Sequence, residues 1–141
     1  MQEAGVTVLV VEDEPIIRFA LVDALEEKGY RVLEASNVLE AVGVIGKNEQ
    51  IAAVVTDIDM PGGLSGLDLV ETLDKSQHHI AVVVTSGGHA SESLDLPADA
   101  RFFSKPYHFD DILFAVRSAI AAKAKLLKKR RGLRLVGAAA G

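Results

Sequence analysis

Polar side chains able to bind a metal or react chemically follow apolar runs of this sequence. Runs at residues 6–11 and 51–55 are followed by acids, and later runs end in hydroxyls or a lysine. The side chains concerned are Glu12, Asp13, Asp57, Thr85, Ser86 and Lys105. Carboxylates brought close together repel one another unless a cation joins them, and a site built only of oxygen ligands suits Mg²⁺ best. The pattern therefore predicts a Mg²⁺ site wherever these runs meet.

Asp57 is the acid best placed to react. An aspartate carboxylate attacks phosphorus and forms an acyl phosphate when the negative charge of the incoming phosphoryl group is neutralised. The cation can neutralise one phosphoryl oxygen, the Lys105 ammonium a second, and the Ser86 hydroxyl or backbone N–H groups the third. The residue types therefore favour phosphoryl transfer to Asp57.

The runs that precede these side chains have the pattern of buried strands. Most are short, apolar and rich in β-branched residues, without the alternation of a half-buried strand. Predicted strands cover residues 6–11, 31–35, 51–55, 80–86 and 101–104. Apolar residues at helical spacing predict helices that begin at Pro15, after Asn37, after Ser65 and near Asp110. Residues 87–100 have a poor pattern, with about one helical turn expected at residues 91–94.

Strands that alternate with helices predict an α/β fold, in which βαβ units form a doubly wound parallel sheet with helices on both faces. The carboxyl ends of parallel strands share one rim of the sheet. Loops diverge there where the strand order reverses, and they open a crevice. Since all of the candidate side chains lie on that rim, the predicted fold brings them together.

Composition limits the class of protein. The chain has 141 residues, of which 49% are hydrophobic, and no cysteine. With no secretion signal in the sequence, these values predict one globular, cytoplasmic domain. Residues 1–122 hold eight bases against twenty acids, whereas residues 123–141 hold seven bases and no acid. An acidic body is a poor ligand for nucleic acid, so we expect no direct DNA binding by the main domain.

The basic segment at residues 123–141 is predicted to continue the last helix and to fray from residue 136. We therefore divide the chain into a domain at residues 1–122 and a helical extension with a flexible tail. The extension is too short to hold an effector domain. Its bases are available for an acidic partner, a membrane surface or nucleic acid.

The motifs resemble those of the receiver domain of two-component response regulators. They are VVEDEP at residues 10–15, TDIDMP at 56–61 with GL at 66–67, VTSG at 84–87 and FSKP at 103–106. They stand in family order, and the resemblance covers about residues 5–122. It implies a flavodoxin-like (βα)5 fold with strand order 2-1-3-4-5. It also implies a stand-alone response regulator.

The resemblance assigns the acids. Asp57 would accept a phosphoryl group from a histidine kinase or a histidine phosphotransfer protein. Asp13 and Asp57 would ligate Mg²⁺, Glu12 would do so directly or through water, and Asp59 would contribute its backbone carbonyl.

The resemblance also assigns the other polar positions. Ser86 would be the hydroxyl that follows the phosphoryl group, and Lys105 would be the ion-pair partner of that group. Ser86 is preferred to Thr85 because the family's hydroxyl residue is usually followed by a small residue, here Gly87. Phe102 would be the aromatic switch, although it can also be an ordinary core residue. The protein would act as a switch and not as an enzyme, alone or as a homodimer, on an unidentified downstream protein.

The sequence departs from the family pattern in two loops. The loop between Pro61 and Gly66 is one residue longer than usual, and the interval from Ser86 to Phe102 is a few residues shorter. We therefore expect a shortened or irregular helix before the last strand. The surface that such domains commonly use for signalling includes that helix.

Two alternatives compete with this interpretation. Asp57 and Asp59 also fit the Asp-x-Asp pair of haloacid-dehalogenase-type phosphohydrolases. In that class the pair follows the first strand, whereas here an acidic pair precedes it. The other alternative is a pseudo-receiver, which binds partners without being phosphorylated. It is disfavoured because every chemical position is filled.

Overall fold

Short β-branched runs form the strands of this protein, and runs with apolar residues at helical spacing form its helices. The computed structural model describes residues 5–88 and 94–140, with side chains as far as residue 132. The strands in this part of the chain are β1 (Thr7–Val11), β2 (Arg31–Ala35), β3 (Ile51–Asp57), β4 (Ala81–Ser86) and β5 (Arg101–Ser104). The helices are α1 (Pro15–Glu27), α2 (Val38–Lys47), α3 (Gly66–Ser76) and α4 (Phe109–Ala140).

The strands form one parallel sheet in the order β2-β1-β3-β4-β5. The predicted doubly wound fold and its strand order are therefore confirmed. β3 lies at the centre of the sheet between β1 and β4. The register places Val11 beside Thr56, and Asp57 beside Thr85. The carboxyl ends of the three inner strands consequently lie side by side.

Two apolar cores, one on each face of the sheet, explain why the strand sequences do not alternate. α1 and α4 cover one face, where Leu25 and Ile112 are fully buried. α2 and α3 cover the other face, where Ala41 and Leu69 are buried. Because neither face of the inner strands meets water, both sets of side chains along them are apolar. The sheet is a rigid base for the groups at its rim.

The start of α3 packs against the end of the strand that carries Asp57. Gly66 N–H donates a hydrogen bond to the carbonyl oxygen of Ile58 at 3.3 Å. A Cβ added to Gly66 would lie 2.3 Å from the carbonyl oxygen of Asp57, which is closer than real contacts allow. Residue 66 must therefore be glycine for the loop to close this tightly.

The structure differs from the predicted boundaries most in two elements, while β1 and β4 each begin one residue later than predicted. β3 continues to Asp57, beyond the predicted end at residue 55, because its last residues pair with β4. α4 continues through Ala140, where fraying was expected from residue 136. Alanine is the strongest helix former, and residues 138–140 are all alanine. The division of the chain at residue 122 stays a prediction.

The connection between β4 and β5 is only partly described. Its described residues, 87–88 and 94–100, contain no helix. Three residues of the helical turn expected at residues 91–94 lie outside the described residues. Whether that turn forms therefore stays a prediction.

Candidate functional site

Three carboxylates meet at the carboxyl end of the sheet. One oxygen atom from each of Glu12, Asp13 and Asp57 lies within 4.8 Å of the others. The strand register brings these acids together. Val11 of β1 lies beside Thr56 of β3, and the acids that follow each of these residues therefore lie at the same rim. Glu12 and Asp57 are buried, and Asp13 is half-buried. The structure therefore brings together the acids predicted to bind the cation.

Lys105 reaches these acids from the far side of β4. Its Nζ lies 2.7 Å from Asp57 Oδ2 and 3.4 Å from Glu12 Oε1. The Lys105 N–H donates to the carbonyl oxygen of Ser86 at 2.9 Å, which fixes the base of the side chain next to β4. Burial opposes the charged form of Lys105. The hydrogen bond to Asp57 and the charges of Asp57 and Glu12 outweigh it, so the pKa of Lys105 is raised. This ammonium therefore stays charged.

Glu12 is the acid of the cluster whose pKa is raised. Burial raises the pKa of Glu12 to about 7, and the contact with Asp13 and the charge of Asp57 act in the same direction. The N–H of Glu14, which donates to Glu12 Oε2 at 3.1 Å, acts in the opposite direction. Without a bound cation, Glu12 therefore keeps its proton to a higher pH than an ordinary glutamate does.

Arg18 holds the loop that carries Glu12, a role that the sequence patterns did not reveal. Its Nη1 donates to the backbone carbonyl of Glu12 at 2.8 Å, and its Nε donates to Glu34 Oε1 at 3.1 Å. The Arg18 side chain is only 14% exposed. Its position one helical turn after Pro15, facing the rim, is the available sequence signal.

The hydroxyl candidates on β4 have different surroundings. Thr85 lies beside Asp57 in the sheet, and its carbonyl oxygen accepts a hydrogen bond from Ile58 N–H at 2.9 Å. Ser86 is fully buried, and its Oγ donates to Asp59 Oδ2 at 2.9 Å. The Ser86 hydroxyl therefore contacts the loop that follows Asp57. The choice of Ser86 over Thr85 as the hydroxyl of the site stays a prediction.

Asp59 makes contacts through its side chain that were not predicted. Its N–H donates to Asp57 Oδ1 at 3.1 Å. Its exposed carboxylate accepts hydrogen bonds from Ser86 Oγ and from the N–H of Gly87, the latter at 3.0 Å. The prediction for Asp59 concerned only its backbone carbonyl. A serine followed by two glycines was the sequence signal that backbone donors would be accessible there.

Phe102 packs against an apolar core. It is half-buried in β5 and packs against the core on the α2 and α3 face. Its neighbour Phe103 packs against the opposite core, as alternation along a strand requires. The role of Phe102 as a switch stays a prediction.

This arrangement matches a known family. The model of the response regulator receiver domain matches residues 8–117. The chain belongs to the response-regulator receiver family. A receiver is a phosphoacceptor signalling module of two-component systems, so membership does not favour the phosphohydrolase alternative. Receiver domains bind Mg²⁺ in an acidic pocket, and Glu12, Asp13 and Asp57 form an acidic pocket here.

The curated relatives differ widely in total length, so that the match covers from 12% to 97% of each protein. The sensor kinase CckA of Brucella abortus is 34% identical over 119 residues, which are 81% of this chain and 12% of that protein. The sporulation initiation phosphotransferase F of Bacillus subtilis is 29% identical, and the match covers 82% of this chain and 94% of that protein. The response regulator receiver protein CpdR of Brucella abortus is also 29% identical, and the match covers 82% of this chain and 97% of that protein.

Solved receiver structures share the fold. The response regulator receiver domain from Clostridium thermocellum superposes with a TM-score of 0.77 at 31% identity, over 86% of this chain and 98% of that one. The receiver protein from Sinorhizobium medicae has the same TM-score at 26% identity, with the same coverage.

Within the described residues, no helix combines the length and apolar character that crossing a membrane requires.

Proposed function

We propose that Asp57 is the phosphoacceptor of this receiver and that Lys105 and Ser86 act on the transferred group. The observation that carries the proposal is the 2.7 Å contact between Lys105 Nζ and Asp57 Oδ2 inside a cluster of acids. A buried aspartate beside a permanent cation, at the end of a rigid strand, is a nucleophile held in place for an incoming anion.

The acids would hold Mg²⁺. Glu12, Asp13 and Asp57 offer only oxygen atoms, and the spacing of these atoms, within 4.8 Å, fits a hard cation. The backbone carbonyl of Asp59 would complete the protein ligands. When bound, Mg²⁺ supplies charge neutralisation to the phosphoryl oxygens. It would also offset the charge of Asp57, which adds to the effect of burial in raising the pKa of Glu12.

The transfer itself needs little from the protein beyond position and charge. A carboxylate oxygen of Asp57 attacks the phosphorus, and an acyl phosphate bond forms. The bond from phosphorus to the donor's imidazole nitrogen breaks, and that nitrogen keeps the electron pair. Lys105 neutralises one phosphoryl oxygen, and the Ser86 hydroxyl donates to another.

The donor would be a histidine kinase or a histidine phosphotransfer protein, and the output would be a change in protein contacts. Phosphorylation would shift the population between an inactive and an active form, and Phe102 would move with that shift. Moving a domain from about 1% to about 99% active requires a preference of roughly 5.5 kcal/mol. The downstream partner, homodimer formation, a cytoplasmic location and the separate role of residues 123–141 belong to the same proposal.

Intact-mass spectrometry tests the proposal. The protein is incubated with Mg²⁺ and acetyl phosphate, as wild type, as Asp57→Asn and as Asp23→Asn. Asp23 is an exposed acid on α1 and is the matched control. We expect one phosphoryl adduct on the wild type and the control, and none on Asp57→Asn. An adduct that persists on Asp57→Asn refutes the assignment, and no adduct on any protein indicates a pseudo-receiver.

A further inference from the structure

One carboxylate oxygen occupies the donors beside Ser86. Asp59 Oδ2 accepts from Ser86 Oγ at 2.9 Å, from Gly87 N–H at 3.0 Å and from Gly88 N–H at 3.4 Å. A hydroxyl followed by two backbone N–H groups that converge on one oxygen forms an anion-binding concavity. In this structure the anion in that concavity is a side chain of the protein itself.

The same donors lie next to two residues that contact the Asp57 carboxylate, namely Asp59 and Lys105. The N–H of Asp59 donates to Asp57 Oδ1 at 3.1 Å, so residues 57 and 59 belong to one tight turn. A Cβ added to Gly87 would lie 3.8 Å from Cδ of Lys105. Lys105 in turn reaches Asp57. Ser86 and Gly87 therefore line the same crevice as the acceptor carboxylate.

We propose that the Asp59 carboxylate is an internal competitor that a phosphoryl group on Asp57 must displace. This inference rests on the proposed function of Asp57 and Ser86. We call the contacts of Asp59 Oδ2 with Ser86, Gly87 and Gly88 the Asp59 latch. In the unmodified protein the latch satisfies these donors and holds them in one arrangement. After transfer, two anions compete for them, and the doubly charged phosphoryl group wins because Lys105 also binds it.

The exposure of Asp59 makes this exchange feasible. Ser86 is fully buried, whereas Asp59 is exposed at the surface of the loop. The carboxylate can therefore swing into water without leaving a cavity in the core. Asp59 acts as a positioning residue, because it changes the reaction only through the donors that it occupies.

The latch has a different signature from simple repulsion by a nearby negative charge. Asp59→Ala removes both the charge and the acceptor oxygen, whereas Asp59→Asn removes the charge but keeps an oxygen that can accept from Ser86. Glu14→Gln is the control for charge. It removes an exposed negative charge from the same rim but leaves the Asp59 carboxylate in place. Ser86→Ala removes one of the donors for which the anions compete.

The test uses beryllofluoride, which imitates a phosphoryl group, with saturating Mg²⁺ and detection by ¹⁹F NMR. A charge-assisted hydrogen bond contributes at least about 1.5 kcal/mol, which corresponds to roughly tenfold in affinity. We therefore expect Asp59→Ala to bind beryllofluoride about tenfold more tightly than the wild type. Asp59→Asn should show a smaller gain, and Glu14→Gln should match the wild type. In the Ser86→Ala background the gain from Asp59→Ala should shrink.

Each other outcome is decisive. A wild type that binds no beryllofluoride refutes the proposed function and the latch together. If the wild type binds beryllofluoride, and Asp59→Ala and Asp59→Asn bind it no more tightly than the wild type does, the latch alone is refuted. A gain for Glu14→Gln equal to that for Asp59→Ala shows that only charge matters, and it also refutes the latch. If Asp59→Ala fails to fold by circular dichroism, the isosteric Asp59→Asn decides.

Discussion

Replacing Gly66 by alanine tests how tightly the loop after β3 is closed over the acceptor. The new Cβ would lie 2.3 Å from the carbonyl oxygen of Asp57 and 2.8 Å from Cα of Ile58. Both atoms belong to the backbone at the end of a central strand, so neither can turn aside as a flexible side chain would. Since favourable contacts lie at about 3.5 Å or more, the start of α3 must move by about 1 Å.

The expected cost is at the upper end of that for overpacking. Such substitutions destabilise a protein by about 1–3 kcal/mol. Here the movement also stretches the hydrogen bond from Gly66 N–H to Ile58 O, which is already 3.3 Å long. We therefore expect Gly66→Ala to lower the free energy of unfolding by about 3 kcal/mol. The variant remains folded if the wild type has an ordinary stability of about 5–15 kcal/mol.

Urea denaturation, followed by circular dichroism, measures this loss as a lower midpoint with an unchanged slope. Gly43→Ala is the matched control, because Gly43 lies within α2 and a Cβ there meets nothing within 4 Å. Alanine is the better helix former, so the control should gain about 0.5–1 kcal/mol. A Gly66→Ala midpoint equal to that of the wild type would show that the loop relaxes freely and that this reasoning is wrong.

The remaining predictions concern the charges of the cluster. Because burial raises the pKa of Glu12 to about 7 and Mg²⁺ needs the carboxylate form, Mg²⁺ affinity should fall as the pH drops below about 7. Calorimetry in buffers of different ionisation enthalpy should show proton release on binding. Lys105→Met leaves two buried acids without their ammonium, which should cost about 3 kcal/mol of unfolding free energy in Mg²⁺-free buffer, the lower end for a buried pair because the Lys105 side chain is 23% exposed. Added Mg²⁺ should recover part of that loss, as urea denaturation can measure.

Matched variants separate these effects from general damage. Glu12→Gln should remove the pH dependence of Mg²⁺ binding around neutrality, and a dependence that survives would assign it to another group. Lys75→Met removes an exposed lysine that pairs with Glu71 one helical turn away. It should leave the urea midpoint nearly unchanged, because exposed pairs are screened by water. An equal loss for Lys75→Met would show that the site plays no special part.

Local sequence was enough for the fold because each element has a pattern of its own. The β-branched runs before Glu12 and Asp57 are strands in the structure, and Asn37 caps α2 by accepting from Glu40 N–H at 2.8 Å. Alternation of strands and helices then leaves few topologies. The error at the end of β3 arose because the last pairs with β4 depend on a partner that is distant in sequence.

For the site, too, local sequence predicts some features and leaves others open. Its acids, hydroxyls and lysine are candidates from the sequence, because groups that follow successive parallel strands must share one rim. The contacts of Arg18 and of the Asp59 carboxylate appear only in the structure. The segment between β4 and β5 was unclear from the sequence because it has no periodicity, and no helix occurs in its described residues.

The sequence by itself thus determined the parallel α/β sheet and the set of polar groups along its carboxyl edge. Only the tertiary structure decided which of these groups touch. The contact of Lys105 with both Asp57 and Glu12, the burial of Glu12 and the hold of Asp59 on Ser86 join residues that are far apart in the chain. Such contacts depend on strand register, sheet twist and the path of the loops. No local pattern of residues specifies the distance between two side chains on different strands.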